Sequence, residues 1–169
     1  VILGCGSSGG VPRVGGHWGD CDPEEPRNIR RRCALLIEQE GANGTTRVLI
    51  DTSPDLRAQL LDAGVGALDA VLYTHRHADP VHGIDDLRPL RYGRAGPIPG
   101  FAATETARRL RQRFGYVFSG QHGYHTIVEL NTLDALRIHA GFSVESVEMP
   151  HGPTFSTAYR FEADGKSIV

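Results

Sequence analysis

The sequence predicts a mixed α/β fold, with strands gathered into sheets and helices packed outside them. Three observations carry this. Short apolar runs of strand length recur along the chain, separated by Gly- and Pro-bearing turns. Two longer windows carry helix start and stop signals. Runs of strands broken by helices suit a layered sheet-and-helix arrangement better than an all-helical or all-strand one.

The strands are expected at Val1 to Gly4, Cys33 to Gln39, Thr46 to Asp51, Ala70 to Thr74, Ile98 to Ala102, Ser143 to Met149 and Ala158 to Glu162. Ser53-Pro54-Asp55 opens a helix around Leu56, Leu60 and Leu61 that stops at Gly64. Thr104-Glu105 opens another that runs to Phe114, with Arg108, Arg109, Arg111 and Arg113 on a solvated face. Asp164-Gly165 reads as a hairpin turn. The stretch from Tyr116 to Ala140 admits two short strands, Tyr116-Val117-Phe118 and Ile127-Val128-Glu129-Leu130, around a loop bearing His122 and His125. Such a segment either covers a substrate or forms a surface hairpin. His122, His125 and His139 show no ligand spacing.

Composition is that of an ordinary soluble protein, 40% hydrophobic and 22% charged over 169 residues. That length suits one domain with its own core. A net charge of −2 gives no global basic signal for nucleic acid, and no apolar run reaches the length of a membrane span. Cys5, Cys21 and Cys33 form no metal or redox spacing. Their odd number fits reduced thiols and a cytoplasmic setting. Cys21 and His17 alone do not make a four-coordinate structural zinc site.

The chemistry concentrates in Thr74-His75-Arg76-His77-Ala78-Asp79-Pro80-Val81-His82-Gly83, directly after the apolar run Ala70-Val71-Leu72-Tyr73. In extended chain, His75 and His77 project to the same side, because strand side chains repeat every second residue. Two neutral imidazoles with a nearby carboxylate suit zinc, manganese or iron. Gly4-x-Gly6-x-x-Gly9 formally matches a dinucleotide fingerprint, but that fingerprint needs a following helix. Gly10-Val11-Pro12 and Gly15-Gly16 argue for a tight strand-to-loop turn instead.

The His-x-His-x-Asp loop resembles the signature of the metallo-β-lactamase superfamily. Gly4 to Pro12, Cys21-Asp22-Pro23, Pro26-Arg27-Asn28, Leu49 to Asp55 and Gly83 to Arg88 extend the likeness across nearly the whole chain. They are similar to the branch containing the phosphoribosyl cyclic phosphodiesterase of phosphonate breakdown. The resemblance implies an αββα sandwich: mixed sheets with outer helices. It also implies a single domain over residues 1–169, incomplete at both ends and ending before its C-terminal strands and helices.

By the same resemblance, His75, His77 and a later His, best matched by His151, hold a first divalent metal, zinc or manganese. Asp79 falls on a second site. The family has a His after that Asp, and Pro80 stands there with no donor atom, so one occupied site is expected. If a helix starts after the loop, Asp79 takes its N-cap and Pro80 its first position, where proline is comfortable. Asp79 is then free to serve as a general base. Asp51, His82 and Asp86 are expected to support the ligands from behind. Arg27 and Arg30, from the basic run 27–32, are candidates for substrate phosphate.

The activity implied is metal-dependent hydrolysis, foremost of a phosphodiester in a small cyclic phosphate or nucleotide-like substrate, through water acidified by the metal. A thioester or other acyl hydrolase of the same fold is the enzymatic alternative. A noncatalytic phosphate or nucleotide binder, favoured by Pro80, is the third. The expected partner is a small phosphorylated molecule, with neither membrane nor nucleic acid, and a homodimer is compatible.

Overall fold

The computed structural model describes residues 1–42, 44–120, 123–136 and 142–169. Its strands are β1 (Ile2–Gly4), β2 (Ala34–Gly41), β3 (Gly44–Ile50), β4 (Ala70–Tyr73), β5 (Ile98–Ala102), β6 (Val128–Thr132), β7 (Ser143–His151), β8 (Thr154–Ala163) and β9 (Lys166–Ile168). The helices are α1 (Leu56–Asp62), α2 (Arg88–Arg91), α3 (Thr104–Arg113) and α4 (Gly115–Ser119).

Strands β1 to β6 form one sheet in sequence order, and β7 to β9 form a second. The first sheet is mixed. β1, β2 and β3 pair antiparallel, whereas β3 through β6 run parallel. β4 shows why: all four of its residues are buried, as expected of a parallel strand covered on both faces. Its alternation divides them. Val71 and Tyr73 join the core shared with Leu56, Leu60, Ile84, Leu87, Ala107 and Leu110. Ala70 and Leu72 pack with Tyr159 and Phe161 of the second sheet. The layers are therefore helices, mixed sheet, second sheet, in the manner of an αββα sandwich. At about 2 kcal/mol for each large apolar side chain removed from water, these two cores dominate the stability of the fold.

Several local expectations change. Tyr116-Val117-Phe118 lies in α4, with Val117 buried against the helix-side core. The helix holds because Gly120, at φ 61°, ends it in the left-handed region that glycine enters without penalty. Leu61 is 63% exposed, since Leu56 and Leu60 already define the buried stripe of α1. Strands β7 and β8 extend to a tight turn at Gly152-Pro153, bringing His151 opposite Thr154. In α3, Arg108 and Arg109 pair with Glu105 on the exposed face. Arg111 and Arg113 instead reach the carbonyls of Leu130 and Arg76. His122 and His139 lie outside the described residues.

Candidate metal centre

β4 ends at Tyr73, and the chain turns at Thr74 into the His-x-His loop at the carboxyl end of the parallel strands. Three contacts hold that loop against the second sheet. The Tyr159 hydroxyl donates to the Tyr73 carbonyl at 2.8 Å, and the Thr157 N–H donates to the Thr74 carbonyl at 2.8 Å. Arg76 Nε donates to Thr154 Oγ1 at 3.3 Å. On the other side, Arg113 donates to the Arg76 carbonyl at 2.6 Å. Because β8 is docked this way, the β7–β8 turn delivers His151 to His75 and His77 from 74 or more residues away in sequence.

The three imidazoles converge. Ring centroids lie 4.8 Å apart for His75 and His77, 4.6 Å for His75 and His151, and 5.1 Å for His77 and His151. One nitrogen from each falls within 4.8 Å of the others. Three imidazole nitrogens around one point fit a single zinc-like divalent ion with an open position for water or substrate.

His75 is held from behind. The Thr74 hydroxyl lies 2.7 Å from Asp51 Oδ2 and 2.9 Å from His75 Nδ1, while the Thr74 N–H donates to Asp51 Oδ1 at 2.8 Å. If the hydroxyl proton goes to the carboxylate, its oxygen accepts from Nδ1–H, and Nε2 of His75 carries the lone pair for a metal. Burial pushes the His75 pKa down to about 4, helped by the neighbouring His77 and His151. The ring is therefore neutral, as a ligand must be. Asp51 is buried at φ 65°, a left-handed conformation that aspartate tolerates better than most residues. Its burial pushes its pKa up to about 7 against the opposing Thr74 hydrogen bonds.

The segment behind the site is tightly laced. The Thr52 N–H donates to the Pro80 carbonyl at 2.8 Å, and the Gly83 N–H to the Thr52 carbonyl at 2.9 Å. A Cβ on Gly83 would overlap the Ser53 carbonyl, so only glycine permits this approach. No helix begins at Asp79. Residues 79–83 form successive turns, followed by a 3-10 turn over Ile84–Leu87 and then α2. Asp79 is thus not a helix N-cap, and the loop is fixed by Thr52 rather than by capping.

The other candidates separate. Asp79 is not a member of the three-imidazole cluster among the described residues, although its charge is felt at His75 and Asp51. Buried Pro80 offers only its carbonyl, already used by Thr52. His82 is exposed, with its ring against Phe114 at 5.9 Å. Asp86 accepts from the Arg57 N–H at 3.3 Å and so ties α1 to the 3-10 turn. Arg27 is exposed and paired with Glu25 at 2.7 Å, and Arg30 exchanges main-chain hydrogen bonds with Val11. The glycines from Gly4 to Gly10 lead into turns and not a helix, which removes the dinucleotide reading. The sequence reading did not name Thr157, and it named Thr74, Gly83 and Arg113 without their supporting roles at the site. Only Thr74 carried a local signal, as a hydroxyl adjoining the first histidine.

A helix–sheet–sheet sandwich with a three-histidine centre beyond the carboxyl ends of its parallel strands defines a class of metal-binding proteins. The chain belongs to the beta-lactamase superfamily domain family, whose profile matches residues 46–169. Among solved structures it is similar to a diphosphatase of the PhnP family, with 35% identity and a TM-score of 0.80, covering 95% of this chain and 60% of that one. Zinc-bound PqqB from Methylobacterium extorquens shares the fold at 22% identity and a TM-score of 0.70, over 99% of this chain and 62% of that one. An octanoyltransferase of Porphyromonas gingivalis is 43% identical over 118 residues, 70% of this chain but 23% of that protein. The chain thus spans about three fifths of the two solved structures and under a quarter of the curated relative.

Proposed function

We propose that this chain carries the metal site of a hydrolase that cleaves phosphodiesters in small substrates. The observation behind the reading is the convergence of His75, His77 and His151 in a fold 35% identical to a diphosphatase of the PhnP family. A divalent ion such as zinc or manganese, when bound, would acidify water toward neutrality and polarise a phosphoryl oxygen.

The chain's own residues supply the rest. Thr74 and Asp51 orient His75, and the β7–β8 turn carries His151. Asp79, half-buried beside the cluster, is assigned as the base that takes a proton from the attacking water. Arg30 remains the candidate for phosphate, with Arg27 less available because Glu25 occupies its guanidinium. Pro80 limits the site to one tightly held ion. The three free cysteines fit a reducing cytoplasm, and no helix among the described residues is long and apolar enough to cross a membrane.

The test is hydrolysis of a chromogenic phosphodiester set against a thioester, with zinc or manganese present and His77→Ala as control. Turnover of the phosphodiester that disappears in the variant supports the reading. Preference for the thioester would move the assignment to acyl hydrolysis. Binding of phosphate esters without turnover of either would make the chain a noncatalytic member. Two tightly bound ions per chain would overturn the reading of Pro80.

A further inference from the structure

A second, basic cavity lies at the opposite end of the parallel strands from the histidines. Its volume is about 480 Å³, and Arg88, Arg91, Arg94, Tyr92, Tyr124 and His125 line it. Its position follows from the connections. Arg94 donates to the Leu68 carbonyl, just before β4 begins, and Arg91 donates to the Thr126 carbonyl, just before β6. These are the amino ends of strands whose carboxyl ends face the metal loop.

The lining is an unbalanced concentration of positive charge. Arg91 and Arg94 use main-chain carbonyls only, and neither has a carboxylate partner among the described residues. Arg94 Nε is buried with no hydrogen-bond partner among the described residues. Among the described residues, Arg88's carboxylate contact is a long one to Asp85, 3.5 Å, whose other oxygen is taken by the Tyr116 hydroxyl at 2.7 Å. The Arg88 guanidinium carbon lies 5.1 Å from the Tyr124 ring centroid, within reach of a cation–π contact. Tyr92 and Tyr124 are 76% and 64% exposed, leaving ring surface open to a planar ligand.

We propose that this cavity binds an aromatic phosphate monoester, its phosphate on Arg91 and Arg94 and its ring against Tyr124. Guanidinium pairs recognise phosphate oxygens through parallel N–H donors, and a cavity of this volume lies in the range that encloses a small organic ligand. The site is independent of the metal centre and of the hydrolytic reading.

The experiment is calorimetric titration of the full chain with adenosine 5′-monophosphate, in chelator so that the histidine cluster holds no ion. Submillimolar binding is expected, retained in His77→Ala and weakened at least tenfold in Arg91→Gln. Arg91 also braces the main chain, so Tyr124→Ala, at an exposed position, provides a second variant, with an expected loss of about fivefold or more. Absence of binding overturns the proposal, as does binding lost in His77→Ala but kept in Arg91→Gln and Tyr124→Ala. Equal affinity for inorganic phosphate, unaffected by Tyr124→Ala, overturns the aromatic part.

Discussion

Asp51 and His75 are joined through a single hydroxyl, that of Thr74, which lies 2.7 Å from the carboxylate and 2.9 Å from the imidazole. Thr74→Val keeps the branched shape and removes only the link. Metal affinity is expected to fall about 10- to 100-fold, the usual range when a group behind a metal ligand is lost. The protein should remain folded, because the Thr74 N–H and carbonyl keep their bonds to Asp51 and Thr157. Competition with a chromophoric zinc chelator measures the change, and unchanged affinity would show that the hydroxyl does not orient the ring.

The His75 and His77 pair was legible because it is local: alternate residues after an apolar strand must share a side. His151 was reachable only through the resemblance, since its approach depends on how β8 docks on β4. The fold was legible where burial sets periodicity, as in β4, and less so where shape decides. Tyr116-Val117-Phe118 has strand-like side chains, yet it packs Val117 from a helix closed by Gly120. Asp79 looked like a cap because Pro80 suits a first helical position. Nothing local showed that Thr52 would hold that turn instead.

Metal should stabilise the chain through its three histidines and nowhere else. A ligand present at about a thousand times its dissociation constant adds about 4 kcal/mol to the folded state. Zinc is therefore expected to raise the wild-type melting temperature by many degrees, with one ion bound per chain, and chelator to reverse the rise. His151→Ala should abolish most of the shift while leaving the metal-free melting temperature almost unchanged, because His151 is exposed at the end of a hairpin. Thermal scans with and without zinc decide it. A full shift in the variant would remove His151 from the ligand set.

Arg32 and Asp55 form a two-point ion pair, with Nη2 to Oδ1 at 2.6 Å and Nε to Oδ2 at 2.9 Å, both side chains mostly shielded from solvent. The pair ties the start of α1 to the chain entering β2. Its hydrogen bonds to Arg32 hold the Asp55 carboxyl below the usual aspartate range. A carboxylate whose pKa is lowered by folding stabilises fully above its unfolded value and stops contributing as pH falls through the folded one. Asp55→Asn should thus cost about 1–2 kcal/mol near neutrality, and the gap to wild type should begin to narrow below about pH 4. Urea denaturation at pH 7 and pH 3 tests this. A gap at pH 3 as wide as the one at pH 7 would mean the loss is one of packing.

Gly83 offers the sharpest mutational probe of the scaffold behind the metal. Its backbone φ is −90°, which any residue can adopt, so the requirement is contact and not conformation. A Cβ there would overlap the Ser53 carbonyl, whose segment also carries Asp51 and Thr52. Main chain cannot yield as a flexible side chain can. Gly83→Ala is therefore expected to destabilise the fold by about 3 kcal/mol, the upper part of the range for inserting a methyl into a packed site. Displacement of Asp51 should also weaken metal binding. Gly93→Ala is the matched control, since a Cβ there meets nothing within 4 Å, and it should leave stability within about 0.5 kcal/mol of wild type. Equal stability of the two variants in urea would show that the 51–53 segment moves freely and does not fix the position of His75.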